Sequence, residues 1–445
     1  MRFANFCIWL LLIALAVPNT VSAVVLKAGD GTGNESAPVD DPGFANAGRV
    51  GAGTGIYLGN RWVLTANHVG ARSITFGGET FEPIPGESIQ IGNPQDRGLS
   101  ANTDMLLFRI AEEPELPELR IGCRQPRSGE QLVLMGHGRD RDTEISAWDV
   151  QVGPGPQDDV WTPTASTAVA SEVGFRTQST RTLRWGLAPV RQSNRPIITG
   201  NGDVISIETT FPRFGTSPNL SRAATGDSGG PVFHKNGDFW ELIGMIHGVT
   251  PTKENQPGGS ATVLLGTSTF SANLLTYEDE LRAVADFGPA PSDFNADGNI
   301  DATDIDRIFA AFSEGDHNCN YDLSGNGIVT RADIDLVLNE AGTLPGDANV
   351  DGMVSFPDFL ILARSFGDED TGWGGGDFDG DGSTNFGDFI SLSSAFGDSF
   401  SQVVPAPTTP ANIAAVPEPS TAWLMAVGVG LCLANRRVLW GRVPM

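Results

Sequence analysis

Gly226-Asp227-Ser228-Gly229-Gly230-Pro231, followed at once by Val232-Phe233, is the stretch from which the rest of the chain is read. Glycines on both sides of an Asp-Ser pair let the backbone turn tightly and approach closely, and the apolar pair after the proline reads as the start of a strand. A Gly-Ser turn alone is common and structural, so it means chemistry only with partners elsewhere. The surrounding composition is that of a β protein. Among 445 residues there are 55 glycines and 29 prolines, with 18% charged and 40% hydrophobic residues, which favours turn-rich sheets and excludes a helical bundle. A net charge of −26 excludes a nucleic-acid binder that works by bulk charge.

Two partner segments precede the turn. Arg61-Trp62-Val63-Leu64-Thr65-Ala66-Asn67-His68-Val69 is a strand running into a histidine, and Asn102-Thr103-Asp104-Met105-Leu106-Leu107-Phe108 sets an aspartate before an apolar run. In this order the three segments resemble the trypsin-like, chymotrypsin-fold serine proteases, with Thr-Ala-Asn before His68 where the family has Thr-Ala-Ala. Gly244-Met245-Ile246-His247-Gly248 falls where that family has the strand bordering the substrate backbone. Leu132 to Gly138 resembles the opening strand of its second barrel, so the likeness covers roughly Gly51 to Leu275. It implies an all-β double β-barrel of two six-stranded barrels with the site between them. Ser228 is then the nucleophile, His68 its general base, Asp104 the group that orients the imidazole, and the N–H groups of Gly226 and Ser228 the oxyanion hole. The stretch from Arg139 to Gly200 aligns poorly and reads as containing an insertion, with Trp148, Trp161 and Trp185 as packing residues.

The resemblance also suggests a pocket and an activation route. Arg222 stands six residues before Ser228, where the family often forms the pocket floor. If it points inward, and if His247 lines the pocket as a histidine does in glutamyl endopeptidases, charge pairing favours an acidic P1 residue. If a loop shift puts Arg222 on the surface, it carries no specificity. Asp227 corresponds to the residue that pairs with a freshly made N-terminal amine and orders the oxyanion hole. Val24 would supply that amine, or Asp227 is held by another cation.

The ends of the chain address it to the cell exterior. Arg2, an apolar run from Phe6 to Val17 and small residues at Val21-Ser22-Ala23 read as a signal peptide over residues 1–23, for removal by signal peptidase. Residues 401–415 are a Pro/Ala/Thr linker. Residues 416–445 hold Val416-Pro417-Glu418-Pro419, a short apolar run and Arg436-Arg437, which resembles a PEP-CTERM sorting signal and implies an exosortase-type enzyme and a secreted or bacterial cell-surface location. Only Cys123 and Cys319 fall in the exported body. That is no disulfide framework, and nothing in the sequence selects a bridge between them.

The charge steps sharply near Asp286, dividing a protease-like domain over 24–285 from an acidic one over 286–400. Asp286 to Phe400 holds 23 acids against three arginines. The acids are patterned as EF-hand-type calcium loops, with oxygen donors at positions 1, 3, 5, 9 and 12 and glycine at 6. The first loop offers Asp293, Asn295, Asp297, Asp301 and Asp304. The second offers Asp322, Ser324, Asn326, Thr330 and Asp333, the third Asp347, Asn349, Asp351, Ser355 and Asp358, and the fourth Asp377, Asp379, Asp381, Asn385 and Asp388. Each is followed by a helical apolar pattern, such as Ile305, Ile308, Phe309 and Phe312. Loop then helix resembles the dockerin type I repeat, which implies a small α-helical module, structural Ca2+ and a cohesin-like partner. A calcium-stiffened spacer is the alternative use. Position 12 is Asp where EF-hands carry a bidentate Glu, so weak sites are expected, the second weakest.

Together these readings describe a secreted or surface-displayed serine endopeptidase acting on protein or peptide substrates, tethered by a calcium module. The alternative is an inactive surface protein that binds through its dockerin-like repeats.

Overall fold

The structure, a computed structural model, describes residues 24–401 apart from Asp96 and Thr216. The expected signal peptide and sorting segment lie outside the described residues. Among those described, no helix is long and apolar enough to cross a membrane.

Asn60 and Arg61, both at positive φ (54° and 66°), make the two-residue turn that joins Gly53–Gly59 to Trp62–Ala66. A mirror-image turn of this kind matches the right-handed twist of the strands it connects. Along the second strand Leu64 and Ala66 face one apolar cluster and Val63 the opposite one, as the two-residue period of a strand requires. The hairpin lies within a seven-stranded antiparallel sheet ordered Glu79–Phe81, Ile74–Phe76, Ala47–Val50, Gly53–Gly59, Trp62–Ala66, Asn102–Ile110, Pro83–Gly92. Six strands were expected here. Gly77 and Gly78, at φ +55° and +99°, fold the Ile74–Phe76 edge back as a short hairpin and so make seven.

The second half closes fully. Arg184–Ile197, Val204–Thr210, Ser268–Asn273, Phe239–Val249, Pro231–Asn236 and Gln131–Gly136 form a six-stranded barrel. Ile56, Leu64 and Leu107 of the first sheet pack in one cluster with Met135, Phe233 and Met245 of the barrel. That shared core fixes the two halves against each other, each fully buried aliphatic side chain contributing about 1.5–3 kcal/mol. Mostly β, the chain sets a seven-stranded sheet against a closed six-stranded barrel, where two six-stranded barrels were expected. The stretch that reads as containing an insertion builds a further five-stranded sheet from Arg139–Arg141, Ser146–Gln151, Val160–Pro163 and Glu172–Arg181, with Thr262–Leu264 added. Trp148 is buried in it, edge to face with Trp161.

Helices Ala302–Glu314, Arg331–Ala341, Phe356–Ser365 and Phe386–Ala395 each follow one acidic loop. Their core does not stand apart. Phe239, from a barrel strand, packs edge to face on Tyr321 (5.0 Å between centroids) and Phe294 (6.3 Å) and belongs to the same cluster as Ile305, Val337 and Trp373. Cys123 and Cys319 form a disulfide across the same seam, with Cα atoms 5.9 Å apart, and Arg120 Nη2 donates to the Asp293 carbonyl. The described residues through Ser399 are therefore one compact unit, and the charge step at Asp286 marks a change of composition within it.

Candidate active site

The register that pairs Ala66 with Met105 sets Asp104 beside the turn leaving the Trp62–Ala66 strand. In that turn Val69 N–H donates to the Ala66 carbonyl (2.9 Å), and His68 projects from it. Asp104, 1% exposed, accepts from the His68 backbone N–H through Oδ1 (3.0 Å) and meets the ring Nδ1 through Oδ2 (2.7 Å). One carboxylate thus fixes both the main chain and the ring of His68. It selects the tautomer with the proton on Nδ1 and leaves Nε2 as the basic nitrogen. The His68 side chain is 31% exposed, so Nε2 remains open to the cleft.

Ser228 lines the same cleft, a cavity of about 450 Å³ that also includes His68, Gly226 and His247. Its loop is held from both halves of the molecule. Thr54 N–H donates to the Ser228 carbonyl (2.8 Å), Thr54 Oγ1 to the Gly226 carbonyl (3.0 Å), and Gly229 N–H to the Ile246 carbonyl (2.7 Å). Gly226 needs its glycine: φ is +105°, and a Cβ there would collide with Arg181 Nη1. Among the described residues, neither the Gly226 nor the Ser228 N–H has a hydrogen-bond partner, as donors awaiting an oxyanion would be. No hydrogen bond joins Ser228 Oγ to His68 among those residues. Such contacts are often long in unliganded sites and tighten on substrate binding.

Asp227 is fully buried. It accepts from Gly138 N–H and Ala224 N–H, both at 2.7 Å, and from the backbone of Val24. Burial nonetheless pushes its carboxyl up to about 6, against those bonds and the nearby Arg181. Val24 is itself buried, and Val25–Leu26 pairs with Ser221–Arg222, so the strand threads the start of the described chain directly under the nucleophile loop.

His247 requires a correction. Its ring is buried and tied through Nε2 to Ser206 Oγ (2.7 Å), on the neighbouring side of the barrel, so it lines the cleft with Ser228 and not the cavity holding Arg222. Burial lowers it to about 4, with Asp104 opposing and His68 reinforcing the shift. Arg222 is 5% exposed and lines an adjoining cavity of about 290 Å³. Sequence reasoning missed Arg181, which lines the cleft and caps it by donating from Nη1 to Ala52 (2.8 Å) and Thr225 (3.2 Å) carbonyls. It sits in the stretch without motifs, where no sequence signal marks it.

In the acidic loops the backbone repeats one pattern. The first-position carboxylate receives the glycine N–H at position 6, as Asp293 from Gly298 (2.9 Å), Asp322 from Gly327 (2.7 Å), Asp347 from Gly352 (2.8 Å) and Asp377 from Gly382 (2.8 Å). The twelfth-position carboxylates of Asp304, Asp333, Asp358 and Asp388 are buried and close a capping box on each helix. Burial and neighbouring carboxylates hold Asp304, Asp347, Asp377 and Asp379 above the usual carboxylate range. Oxygens of Asp377, Asp379 and Asp388 converge within 4.8 Å of one another. An all-oxygen set of crowded, partly buried carboxylates fits a hard divalent cation such as Ca2+. In the second loop Asp333 is instead shifted down, because its burial is outweighed by hydrogen bonds from Ser324 and Thr330.

Compared with known proteins, the chain matches no family model and no curated protein. Among solved structures it is similar to the Rv3671c protease of M. tuberculosis in its active form (14% identity, TM-score 0.30, covering 54% of this chain and 75% of that one). It is similar likewise to the inactive form of that protease (16%, 0.30, 53% and 84%) and to neuropsin, a serine protease of mouse brain (15%, 0.33, 57% and 99%).

Proposed function

We propose that this chain is a secreted or surface-displayed serine endopeptidase whose triad is His68, Asp104 and Ser228. The observation that carries the reading is the double hold of Asp104 on His68, at 3.0 and 2.7 Å, in a cleft that Ser228 lines beside two unbonded N–H groups. Ser228 Oγ attacks the scissile carbonyl carbon while His68 Nε2 takes its proton. The carbonyl oxygen gathers charge facing the Gly226 and Ser228 N–H groups. Collapse breaks the C–N bond, the imidazolium returns the proton to the leaving amine, and water repeats the cycle on the acyl-enzyme. Asp104 keeps its charge throughout and stabilises the imidazolium. Labelling by a fluorophosphonate at Ser228, lost in Ser228→Ala, tests the reading; a chain that stays unlabelled rejects it.

Cleavage before Val24 by signal peptidase would turn a neutral amide into an ammonium group beside buried Asp227. Removal of the leader would then be the activating step. Asp293, Asn295, Asp297, Asp301 and Asp304, with their counterparts in the other three loops, would hold structural Ca2+, which when bound offsets the carboxylate repulsion. Packing of the module on Phe239 and the disulfide to Cys319 favour its use as a stiff spacer between enzyme and surface anchor. Phe356, Leu360, Phe386 and Ile390, exposed at matching places of two helices, are where a cohesin-like partner would bind. The reading as an inactive binding protein is not favoured, since the cleft is built throughout.

A further inference from the structure

The second cavity beside the nucleophile carries a charge that no part of the mechanism uses. It shares Ala224, Thr225 and Val249 with the wall of the Ser228 cleft, so the two cavities adjoin. Arg222 lines it and is 5% exposed. Its Nε donates to the Ser268 carbonyl (3.3 Å) and its Nη2 to the Thr250 carbonyl (3.1 Å), which hold the guanidinium in place. Nη1 has no hydrogen-bond partner among the described residues, and no acidic side chain lines the cavity. Arginine is almost never buried without a counter-charge, because the desolvation of the cation has nothing to offset it. Burial alone shifts Arg222, to about 10, with no carboxylate acting on it, so the group stays charged at neutral pH. Glu208, which bonds to Oγ of the same Ser268 (2.7 Å), also pairs with Arg191 and Arg195 and is therefore already matched.

We propose that the missing counter-charge is the substrate's own: the Arg222 cavity takes the side chain on the acyl side of the cleaved bond, and that side chain is a carboxylate, Glu or Asp. The fork of the guanidinium offers Nη1 and the free Nη2 hydrogen to a carboxylate that enters past Val249, and a lysine or arginine side chain would meet like charge. This reading needs no help from His247, which is committed to Ser206. It rests on the protease reading above and adds the substrate class.

The test is a pair of peptides identical but for Glu or Gln at the position before the scissile bond, offered with calcium to the full chain exported and processed by its host. A charge-assisted hydrogen bond in a desolvated pocket predicts kcat/KM on the order of 10- to 100-fold higher for the Glu peptide. Arg222→Gln should bring the Glu/Gln ratio near one, while Arg222→Lys keeps part of it. The ratio is read within one preparation, so loss of some folded protein does not mimic the result, and fluorophosphonate labelling of Ser228 counts the active molecules. Labelled enzyme that cuts after apolar or basic residues, or a ratio unchanged in Arg222→Gln, overturns the proposal and leaves the protease reading standing. A wild-type chain that neither cleaves nor labels overturns both.

Discussion

Adding a single alanine before Val24 should abolish the proposed peptidase activity without touching the cleft. In the unprocessed chain the Val24 nitrogen is an amide, and Asp227 is buried with three backbone donors, Gly138 and Ala224 at 2.7 Å and Val24, and no bonded cation. Its carboxyl lies at about 6 against an ordinary 3.8, so the folded state holds that proton more tightly than the unfolded state does. Stability from this group is therefore fully present below about pH 4 and is lost as pH rises through 6. Some two pK units at 1.36 kcal/mol each make the loss about 3 kcal/mol. A free ammonium at Val24, with an unperturbed pKa of about 8, pairs with the carboxylate and removes most of that loss across pH 4–8. The assay compares the chain beginning at Val24 with the same chain carrying one extra alanine, by thermal unfolding and by fluorophosphonate labelling rate at pH 5 and pH 7. At pH 7 the processed chain should melt higher by roughly 5 °C and label at least ~10-fold faster. Both gaps should narrow at pH 5, where Asp227 of the extended chain is largely protonated and its burial costs little. Equal melting and equal labelling at both pH values would refute the claim that Asp227 waits for the Val24 amine.

Other perturbations follow from the same contacts. Asp104→Asn keeps the shape of the His68 clamp but reverses the tautomer it selects, so kcat should fall by about 10⁴ with little change in melting temperature. Gly226→Ala puts a methyl group into Arg181 at a φ that alanine resists, and should cost about 10²- to 10³-fold in kcat, checked by steady-state kinetics against KM. Replacing Cys123 by Ser opens a bridge that spans 196 residues of sequence. Unfolding in denaturant should show a loss of about 2–5 kcal/mol, with proteolysis cutting first between the barrel and the helices. Chelation should lower the melting temperature of the wild type, and calcium at 100 times its Kd should restore about 2.7 kcal/mol, an effect weaker in Asp377→Asn.

The residues that act through local geometry were legible in the sequence, and those that act through tertiary placement were not. His68 and Asp104 could be read because each lies beside a short apolar run, Val63-Leu64 before the one and Met105 to Phe108 after the other. The four loops could be read because oxygen donors and a glycine recur at fixed spacing, and the helices begin where the loops end. Nothing local distinguishes Cys123 and Cys319 from two free thiols, since their pairing depends on Phe239 drawing the helical module onto the barrel. The direction of Arg222 was open for the same reason: a two-residue strand with Val25 turns it inward, and that partner lies about 200 residues away. Likeness to glutamyl endopeptidases groups His247 with it, whereas the barrel gives its ring to Ser206.

The most direct measurement of the central claim is intact-mass and peptide-level spectrometry of the full chain after incubation with a fluorophosphonate. The account requires one adduct per molecule, on Ser228, absent in Ser228→Ala and slowed by orders of magnitude in His68→Ala. Processed, calcium-loaded chain that carries no adduct, or carries it on another residue, would contradict it.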